Sequence, residues 1–282
     1  MTGAMTMTLA ERAVDVLTTA DPMEKTAKSR AHAADWFAAR AAGTPLPLGE
    51  AVPPDFPARP ARPALLPPNE VPRRRPGSVQ GRKALLHAVA HIELNAVDLH
   101  WDIIPRFAHV RMPLGFYDDW VKAADEESKH FRLVSACLEE MGSFYGEMAA
   151  HAGMWRAAED TATDFMGRLA VVPMVLEARG LDVTPGMIEI FRKAGATGAV
   201  EALEVIYAEE VGHVAYGSKW FHFLCGRHET DPKEAFHDLV RRYFHGALKP
   251  PFNEEKRAEA GLPPDFYWPL ADRVPEGRRA GD

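Results

Sequence analysis

Two Glu-x-x-His pairs, Glu127 with His130 and Glu210 with His213, fall on the apolar faces of predicted helices. A separation of three residues places a carboxylate and an imidazole one helical turn apart on the same face, so both side chains can reach one metal ion. A solvated residue is not expected on such a face. The two pairs therefore indicate metal-binding chemistry inside a helical core.

Short motifs also match by chance, and the Glu and His content of this chain predicts about one Glu-x-x-His match. Glu234 and His237 form a third match, beside Asp238 and Arg241 on the polar side of a predicted C-terminal helix. We interpret this third pair as part of a solvated face and not as a metal site.

Two further glutamates, Glu93 and Glu177, face inward on helices that carry no such pair. The chain position of Glu127 is 34 residues after Glu93, and that of Glu210 is 33 residues after Glu177. The two halves of this pattern are offset by 84 and 83 residues. This arithmetic predicts an internally duplicated helix hairpin with matching ligands in each copy.

Four carboxylates and two imidazoles inside one core require compensation, because each unpaired buried charge costs several kcal/mol. A pair of metal ions supplies it. One Glu from each of two helices and Glu-x-x-His from two others form the ligand set of ferritin-like di-iron or di-manganese proteins. Oxygen-rich ligation favours iron, with manganese or a mixed Mn/Fe pair as alternatives. The predicted metal ligands are Glu93, Glu127, His130, Glu177, Glu210 and His213.

The roles of these ligands differ in the prediction. Glu127 and Glu210 are the candidate catalytic residues and could bridge the two ions, while Glu93 and Glu177 would be terminal ligands. The competing interpretation is that all six residues form buried ion pairs and hydrogen-bonded core histidines. For a single residue we prefer that interpretation, and for the full set with duplicated spacing we prefer metal binding.

Several neighbouring residues could support the ligands. Glu126 and Glu209 each precede a predicted ligand by one residue, about 100° around the helix, which favours contact with a ligand over direct ligation. His100 faces the same way as Glu93 and could orient a ligand or make a core hydrogen bond. Pro173 should bend the helix that carries Glu177 and could open space for O2 or substrate.

Helical periodicity, together with capping and helix-breaking residues, predicts the four helices that must position these residues. Ser78 is a candidate N-cap, Gly142 a candidate stop, and a connector over 143–160 is long enough to cross the length of a bundle. The predicted helices are Ser78–Pro105, Asp118–Gly142, Asp160–Gly180 and Thr197–Gly226, followed by a short helix at Pro185–Lys193 in the connection and one more from Asp231 to Leu248.

The resulting fold class is all-α: a ferritin-like four-helix bundle with N-terminal helices and Pro-rich extensions. Two short helices, separated at Asp21-Pro22, are expected before residue 44. Eleven of the 23 prolines lie between Pro45 and Pro76, which predicts an extended connector. The predicted organisation is an N-terminal helical appendage over 1–44, a Pro-rich connector over 45–77, the bundle over 78–226, and a C-terminal helix with a wrapping tail over 227–282.

Composition excludes several classes of protein. A formal charge of −7 argues against a general affinity for nucleic acid or anionic membranes, although Arg73, Arg74 and Arg75 form a local basic group. Cys137 and Cys225 lie in apolar segments, which is typical of buried thiols in a reducing compartment. With no apparent secretory signal and no apolar stretch of membrane-spanning length, a cytoplasmic protein is expected.

The chain resembles the ferritin-like family known as domain of unknown function four-five-five. The resemblance spans about residues 72–262 and is carried by GRKALLHAVAHIELNAVDL, FYDDWVKAADEESKHF, GSFYGEMAAHAGMW, EARGLDVTPGM, AEEVGHVAYGSKWF and PFNEEKRAEAGL. It implies the four-helix bundle and a dinuclear site at the six predicted ligands. A more distant similarity, to tRNA-modifying di-iron hydroxylases, implies the same ligand pattern.

The predicted function is that of a dinuclear metal carboxylate protein: an O2-dependent oxidase or hydroxylase acting on a small molecule, with an unknown electron donor. We weigh three alternatives: a ferroxidase or iron-handling protein, a tRNA-modifying hydroxylase, and a metal-stabilised binding protein without turnover. A homodimer is a further expectation, and tRNA is the one nucleic acid considered as a partner.

Overall fold

The computed structural model describes residues 7–67, 70–72, 74–246 and 248–271. The described chain is mostly helical, which confirms the all-α prediction. Arg73 of the basic group and the end of the predicted tail, 272–282, lie outside the described residues, as do residues 1–6 of the appendage. Among the described helices, none combines the length and the apolar character that crossing a bilayer requires.

Two N-terminal helices, α1 (Leu9–Leu17) and α2 (Pro22–Ala41), confirm the break predicted at Asp21-Pro22. The Thr8 side chain accepts from the backbone N–H of Glu11, whose carboxylate accepts in turn from Thr8, and this reciprocal capping starts α1. Asp21 caps α2, and Pro22 takes the first helical position, where its missing N–H costs nothing.

The Pro-rich connector contains no helix in its described part. It also contains a feature that we did not predict: strand β1 (Leu65–Leu66) pairs in parallel with β2 (Ala150–His151). Two residues are too few to show the alternating pattern by which a strand is recognised in a sequence.

Helix α3 (Val79–Arg106) begins at the predicted cap, where Ser78 Oγ accepts from the N–H of Gly81. Helix α4 (Leu114–Glu140) begins four residues earlier than predicted, directly after Pro113. The connector that follows it contains a short helix, α5 (Gly153–Asp160).

The third predicted helix differs from its prediction. It begins later, as α6 (Phe165–Val171), continues as a π-helix over Val172–Glu177, and runs into α7 (Ala178–Lys193) without stopping at Gly180. Pro185 lies inside α7 and cannot donate to the carbonyl of Leu181. The side chain of Asn253 donates to that carbonyl instead, at 3.2 Å, so the helix tolerates the proline.

Helix α8 (Thr197–His228) agrees with the fourth predicted helix to within two residues. Helix α9 (Pro232–Tyr243) ends five residues before the predicted Leu248, because the backbone of Phe244 is extended. The C-terminal segment adds α10 (Glu254–Glu259), α11 (Pro264–Tyr267) and one 3₁₀ turn over Trp268–Leu270.

The chain divides into two compact units. The first unit comprises residues 1–165 and 184–209. Within it, α3 packs against α4, α2 packs on α4, and α1 packs on α3. Its apolar core is shared by α3, α4, the C-terminal part of α7 and the N-terminal half of α8, through residues such as Leu86, Phe131, Phe191 and Leu203.

The second unit comprises residues 166–183 and 210–282. Phe236 of α9 packs edge-on against Phe221 of α8 and tilted against Phe266 of α11. Arg257 of α10 binds Asp182 of α7 through two hydrogen bonds of 2.8 and 2.7 Å. These contacts attach the C-terminal segment to the helices of this unit.

Candidate metal centre

The first unit holds three of the predicted ligands as a buried triad. Glu93 comes from α3, and Glu127 and His130 come from adjacent turns of α4. All three are at most 3% exposed. His130 Nδ1 lies 3.3 Å from Glu93 Oε2 and 3.4 Å from Glu127 Oε2, so two helices direct oxygen and nitrogen atoms to one point.

These separations suit a metal ion. Bonds of about 2.1 Å at about 105° place neighbouring ligand atoms about 3.3 Å apart. Glu93 Oε2 is buried and accepts no hydrogen bond from the described residues. A cation would be a suitable partner for this oxygen, which otherwise faces His130 Nδ1, because a buried carboxylate needs a compensating charge.

The electrostatics of the triad support this interpretation. Burial, followed by the negative charge of Glu127, raises the pKa of Glu93 to about 8. Burial opposes protonation of His130, but its interactions with the surrounding carboxylates, which accept hydrogen bonds from the charged ring, raise its pKa well above the usual value. A metal ion would favour the ionised form of Glu93, because a nearby cation lowers the pKa of a carboxyl group.

The other nitrogen of His130 faces a different carboxylate. His130 Nε2 lies 2.7 Å from Glu209 Oε2, and Lys129 Nζ donates to Glu209 Oε1 at 2.5 Å. Partial burial raises the pKa of Glu209, but His130 and Lys129 outweigh it and lower the pKa to about 2. An ionised Glu209 accepts a hydrogen bond from Nε2–H and leaves Nδ1 as the ligand atom, the usual arrangement around metal-binding histidines.

His100 also lies beside the first triad. Its Nε2 is 3.7 Å from Glu127 Oε1, and its ring packs on Trp120 at a centroid distance of 5.3 Å. Both side chains of the His100–Glu127 pair are about 1% exposed. His100 is therefore placed to orient Glu127 or to add a second nitrogen ligand.

The second unit holds the other three predicted ligands. Glu210 and His213 lie one turn apart on α8, with His213 Nδ1 3.7 Å from Glu210 Oε2. Glu177 and His213 each offer a ligand atom within 4.8 Å of the other. His213 is fully buried, and both carboxylate oxygens of Glu177 are shielded from solvent. This second triad has the same composition as the first.

Glu177 is positioned by the π-helix, which it ends. Pro173 lies inside this segment and packs on Gly217 of α8: a Cβ atom at Gly217 would lie 2.4 Å from Pro173 Cγ. The glycine thus lets the two helices approach closely. One turn beyond Glu177, a Cβ atom added at Gly180 would make only ordinary contact with the Glu210 carboxylate, at 3.8 Å from its Cδ. The predicted bend at Pro173 is realised as π-helical winding.

The structure also places the residues that we set aside. Glu234 is exposed, and His237 Nε2 lies 3.0 Å from the carbonyl oxygens of Asp265 and Phe266, so this pair forms no metal site. Arg74 contacts Met148 Sδ at 3.7 Å. The contact of His100 with Glu127 and that of Lys129 with Glu209 are not visible in the sequence, which shows only that His100 and Lys129 each lie on the helix of a ligand.

The donor set consists of four carboxylates and two imidazoles: Glu93, Glu127 and His130 belong to one group that could hold a metal ion, and Glu177 and His213 belong to another. Oxygen-rich groups with one imidazole suit iron or manganese and lack the thiolates of structural zinc sites. The ligand assignment of the six residues stays a prediction, which the geometry within each unit supports.

Comparisons with known proteins identify relatives but no activity. A family model described as "Protein of unknown function (DUF455)" matches residues 18–268. An uncharacterised protein of Haemophilus influenzae is 40% identical over 219 residues, which is 76% of each chain. No solved structure matches the chain significantly.

Proposed function

Because the chain belongs to this DUF455 family, whose function is unknown, we propose from the site alone that the protein is a dinuclear iron or manganese carboxylate protein that uses O2 to oxidise or hydroxylate a small molecule. The observation that carries the proposal is the convergence of Glu93 and Glu127 on His130 Nδ1, with Glu209 bound to the opposite nitrogen. The ferritin-like architecture belongs to the same proposal.

The step from two triads to one dinuclear centre rests on the duplicated spacing of the ligands. Each half of the pattern supplies one Glu and one Glu-x-x-His pair, the combination typical of ferritin-like carboxylate proteins. In this assignment His130 and His213 each anchor one ion, and Glu93 and Glu177 are terminal ligands. Glu127 and Glu210 are the residues whose carboxylates would shift.

The residues of the site have defined tasks. When bound, iron or manganese would supply the redox chemistry that activates O2. Glu209 accepts a hydrogen bond from His130 Nε2–H, which keeps Nδ1 available as a metal ligand. Burial of Glu93 and Glu127 excludes water from their oxygens, which strengthens their interaction with a cation.

Metal titration of the protein tests this proposal. The metal-stripped chain is loaded anaerobically with Fe(II), and bound iron is counted per chain. We expect two ions in the native protein and one ion fewer in His130→Ala. His237→Ala is the matched control, because it removes the histidine of the polar Glu-x-x-His pair and should leave two ions bound.

Exposure to O2 then separates a redox-active centre from a metal-stabilised binding protein. Oxygen uptake with an absorption band of oxidised di-iron supports the oxidase or hydroxylase assignment. Two bound ions without oxygen uptake would instead identify a metal-stabilised binding protein. If His130→Ala binds as much iron as His237→Ala does, the metal centre itself is wrong.

A further inference from the structure

A pocket of about 540 Å³ lies in the second unit, against the helical segment that carries Glu177. Val175, Leu176 and Phe252 contribute apolar surface, and Arg179, Lys249 and Arg257 contribute positive charge. None of the described residues that line it is acidic. The volume is within the range of about 300–1,000 Å³ typical of small-molecule sites.

Arg257 is the most constrained of the three basic residues. It is only 2% exposed, and its guanidinium lies 4.9 Å from the ring centroid of Phe252 and 4.7 Å from that of Tyr267. Its Nε and Nη2 donate to the two oxygens of Asp182. The side chain is therefore held in one orientation before any ligand binds.

One donor of this rigid group is not used. Arg257 Nη1 is buried and has no hydrogen-bond acceptor among the described residues. A buried charged donor without an acceptor costs free energy, and an oxyanion in the pocket that Arg257 lines would supply the acceptor.

The other charged residues around the pocket also favour an anion. Arg179 Nη1 donates to the carbonyl oxygens of Lys249 and Pro251, at 2.6 and 3.3 Å, and more distantly to Asp182 Oδ2, at 3.4 Å, a carboxylate that it shares with Arg257. Asp182 offers one negative charge against the three positive charges of Arg179, Lys249 and Arg257. The pocket thus combines a net positive charge with an apolar wall.

We propose that this pocket binds a small organic anion, with a carboxylate or phosphate head group at the basic residues and an apolar body against Val175, Leu176 and Phe252. The proposal does not depend on the metal centre. Specificity follows from the composition of the wall, because a neutral molecule leaves Arg257 Nη1 without an acceptor and inorganic phosphate leaves the apolar wall uncovered.

Calorimetric titration of the full chain with four probes tests the proposal: octanoate, octyl phosphate, octanol and inorganic phosphate. We expect at least one of the two amphiphilic anions to bind, at least tenfold more tightly than octanol and inorganic phosphate do. The order of octanoate and octyl phosphate identifies the head group. Octanol binding as tightly as both anions, or no binding of either anion, would overturn the proposal.

A charge variant locates the site. Lys249 is exposed, so Lys249→Gln should preserve the melting temperature and weaken anion binding about three- to tenfold. Lys193→Gln, at an equally exposed lysine outside the pocket, is the matched control and should bind as the native chain does. Equal binding by both variants contradicts the assignment.

The titration is repeated with metal-stripped and metal-loaded protein. Binding in both states is expected, because the anion contacts arginine and lysine. Binding confined to the metal-loaded protein would show that the anion coordinates a metal ion, which overturns the pocket proposal and supports the metal centre. Failure of the metal centre, conversely, leaves anion binding unchanged.

Discussion

His130 Nε2 and Glu209 Oε2 lie 2.7 Å apart, and this hydrogen bond joins the first triad to α8. The bond fixes which imidazole nitrogen carries the proton and therefore which one can face an ion. It also links Lys129 to the site, because the same carboxylate accepts from Lys129 Nζ.

Glu209→Gln should weaken metal binding at the first triad about 10- to 100-fold without unfolding the chain. The amide keeps an acceptor for His130 but removes the charge that makes the imidazole a stronger donor. Affinity is measured by competition with a chelator of known strength. Glu204→Gln, at an exposed residue of the same helix, is the control, and an equal affinity of both variants would contradict the role of Glu209.

Removal of the metal should lower the stability of the native chain. A ligand that binds only the folded state at a hundred times its dissociation constant adds about 2.7 kcal/mol to the free energy of unfolding. We expect the melting temperature to rise on adding Fe(II) or Mn(II) to stripped protein, and to rise less in Glu93→Gln. An identical rise in Glu93→Gln would remove this residue from the ligand set.

Gly217→Ala should destabilise the second unit by about 1–3 kcal/mol, since the new Cβ would lie 2.4 Å from Pro173 Cγ. Gly226→Ala is the control on the same helix, where nothing lies within 4 Å of an added Cβ. Higher helix propensity should make that variant more stable by about 0.5–1 kcal/mol. Opposite signs in denaturant unfolding support the close approach, and two stabilised variants would refute it.

Lys25→Met should destabilise the first unit by about 3–5 kcal/mol, because it leaves Asp98 buried without its ammonium partner. Lys25 and Asp98 are at most 1% exposed, and Lys25 Nζ also donates to the carbonyl of Ala58 at 3.1 Å. Lys28→Met removes a partly exposed lysine of the same helix and should cost less than about 1 kcal/mol. Chemical denaturation of both variants measures the difference.

His87 should contribute a loss of stability to the native chain as the pH drops through about 6.5. Burial lowers the pKa of His87, and its Nε2 accepts from the N–H of Gly146 at 2.9 Å, which requires an uncharged ring. The unfolded chain takes up this proton near the ordinary pKa and the folded chain does not, so folding loses free energy as the pH falls.

The measurement is thermal unfolding at pH 7.5 and at pH 5.5. His87→Gln keeps an acceptor for Gly146 and removes the titration, so it should lose less stability on acidification than the native chain does. His228→Gln, at an exposed histidine, is the control and should follow the native chain. A native pH dependence in His87→Gln would exclude this residue as the cause.

Much of the helical architecture follows from local chemistry. Ser78 and Asp21 are capping residues, and each marks a helix start that can be recognised from about four residues of sequence. In the structure both side chains cap a helix. Glu93 and Glu127 each lie on the apolar face of a helix, where apolar residues recur with helical spacing, so their burial was also predictable.

The predicted and observed structures differ where contacts with residues far along the chain determine the local conformation. Gly180 and Pro185 are ordinary helix-breaking signals, and α7 continues through both because Asn253 donates to the carbonyl that Pro185 cannot serve. The pairing of Leu65 with Ala150 likewise depends on a residue far along the chain. Contacts of this kind leave no periodicity in the sequence.

The hydrogen bond from Asn253 to Leu181 also has a consequence for the order of synthesis. A ribosome makes Leu181 72 residues before Asn253, and Arg257, which binds Asp182 and donates to the carbonyl of Ala178, comes later still. The helix that follows Glu177 therefore cannot complete its hydrogen bonding on a nascent chain that ends before these residues. Its last bonds form only when translation has passed α10, so the candidate ligand Glu177 belongs to a part of the protein that matures late.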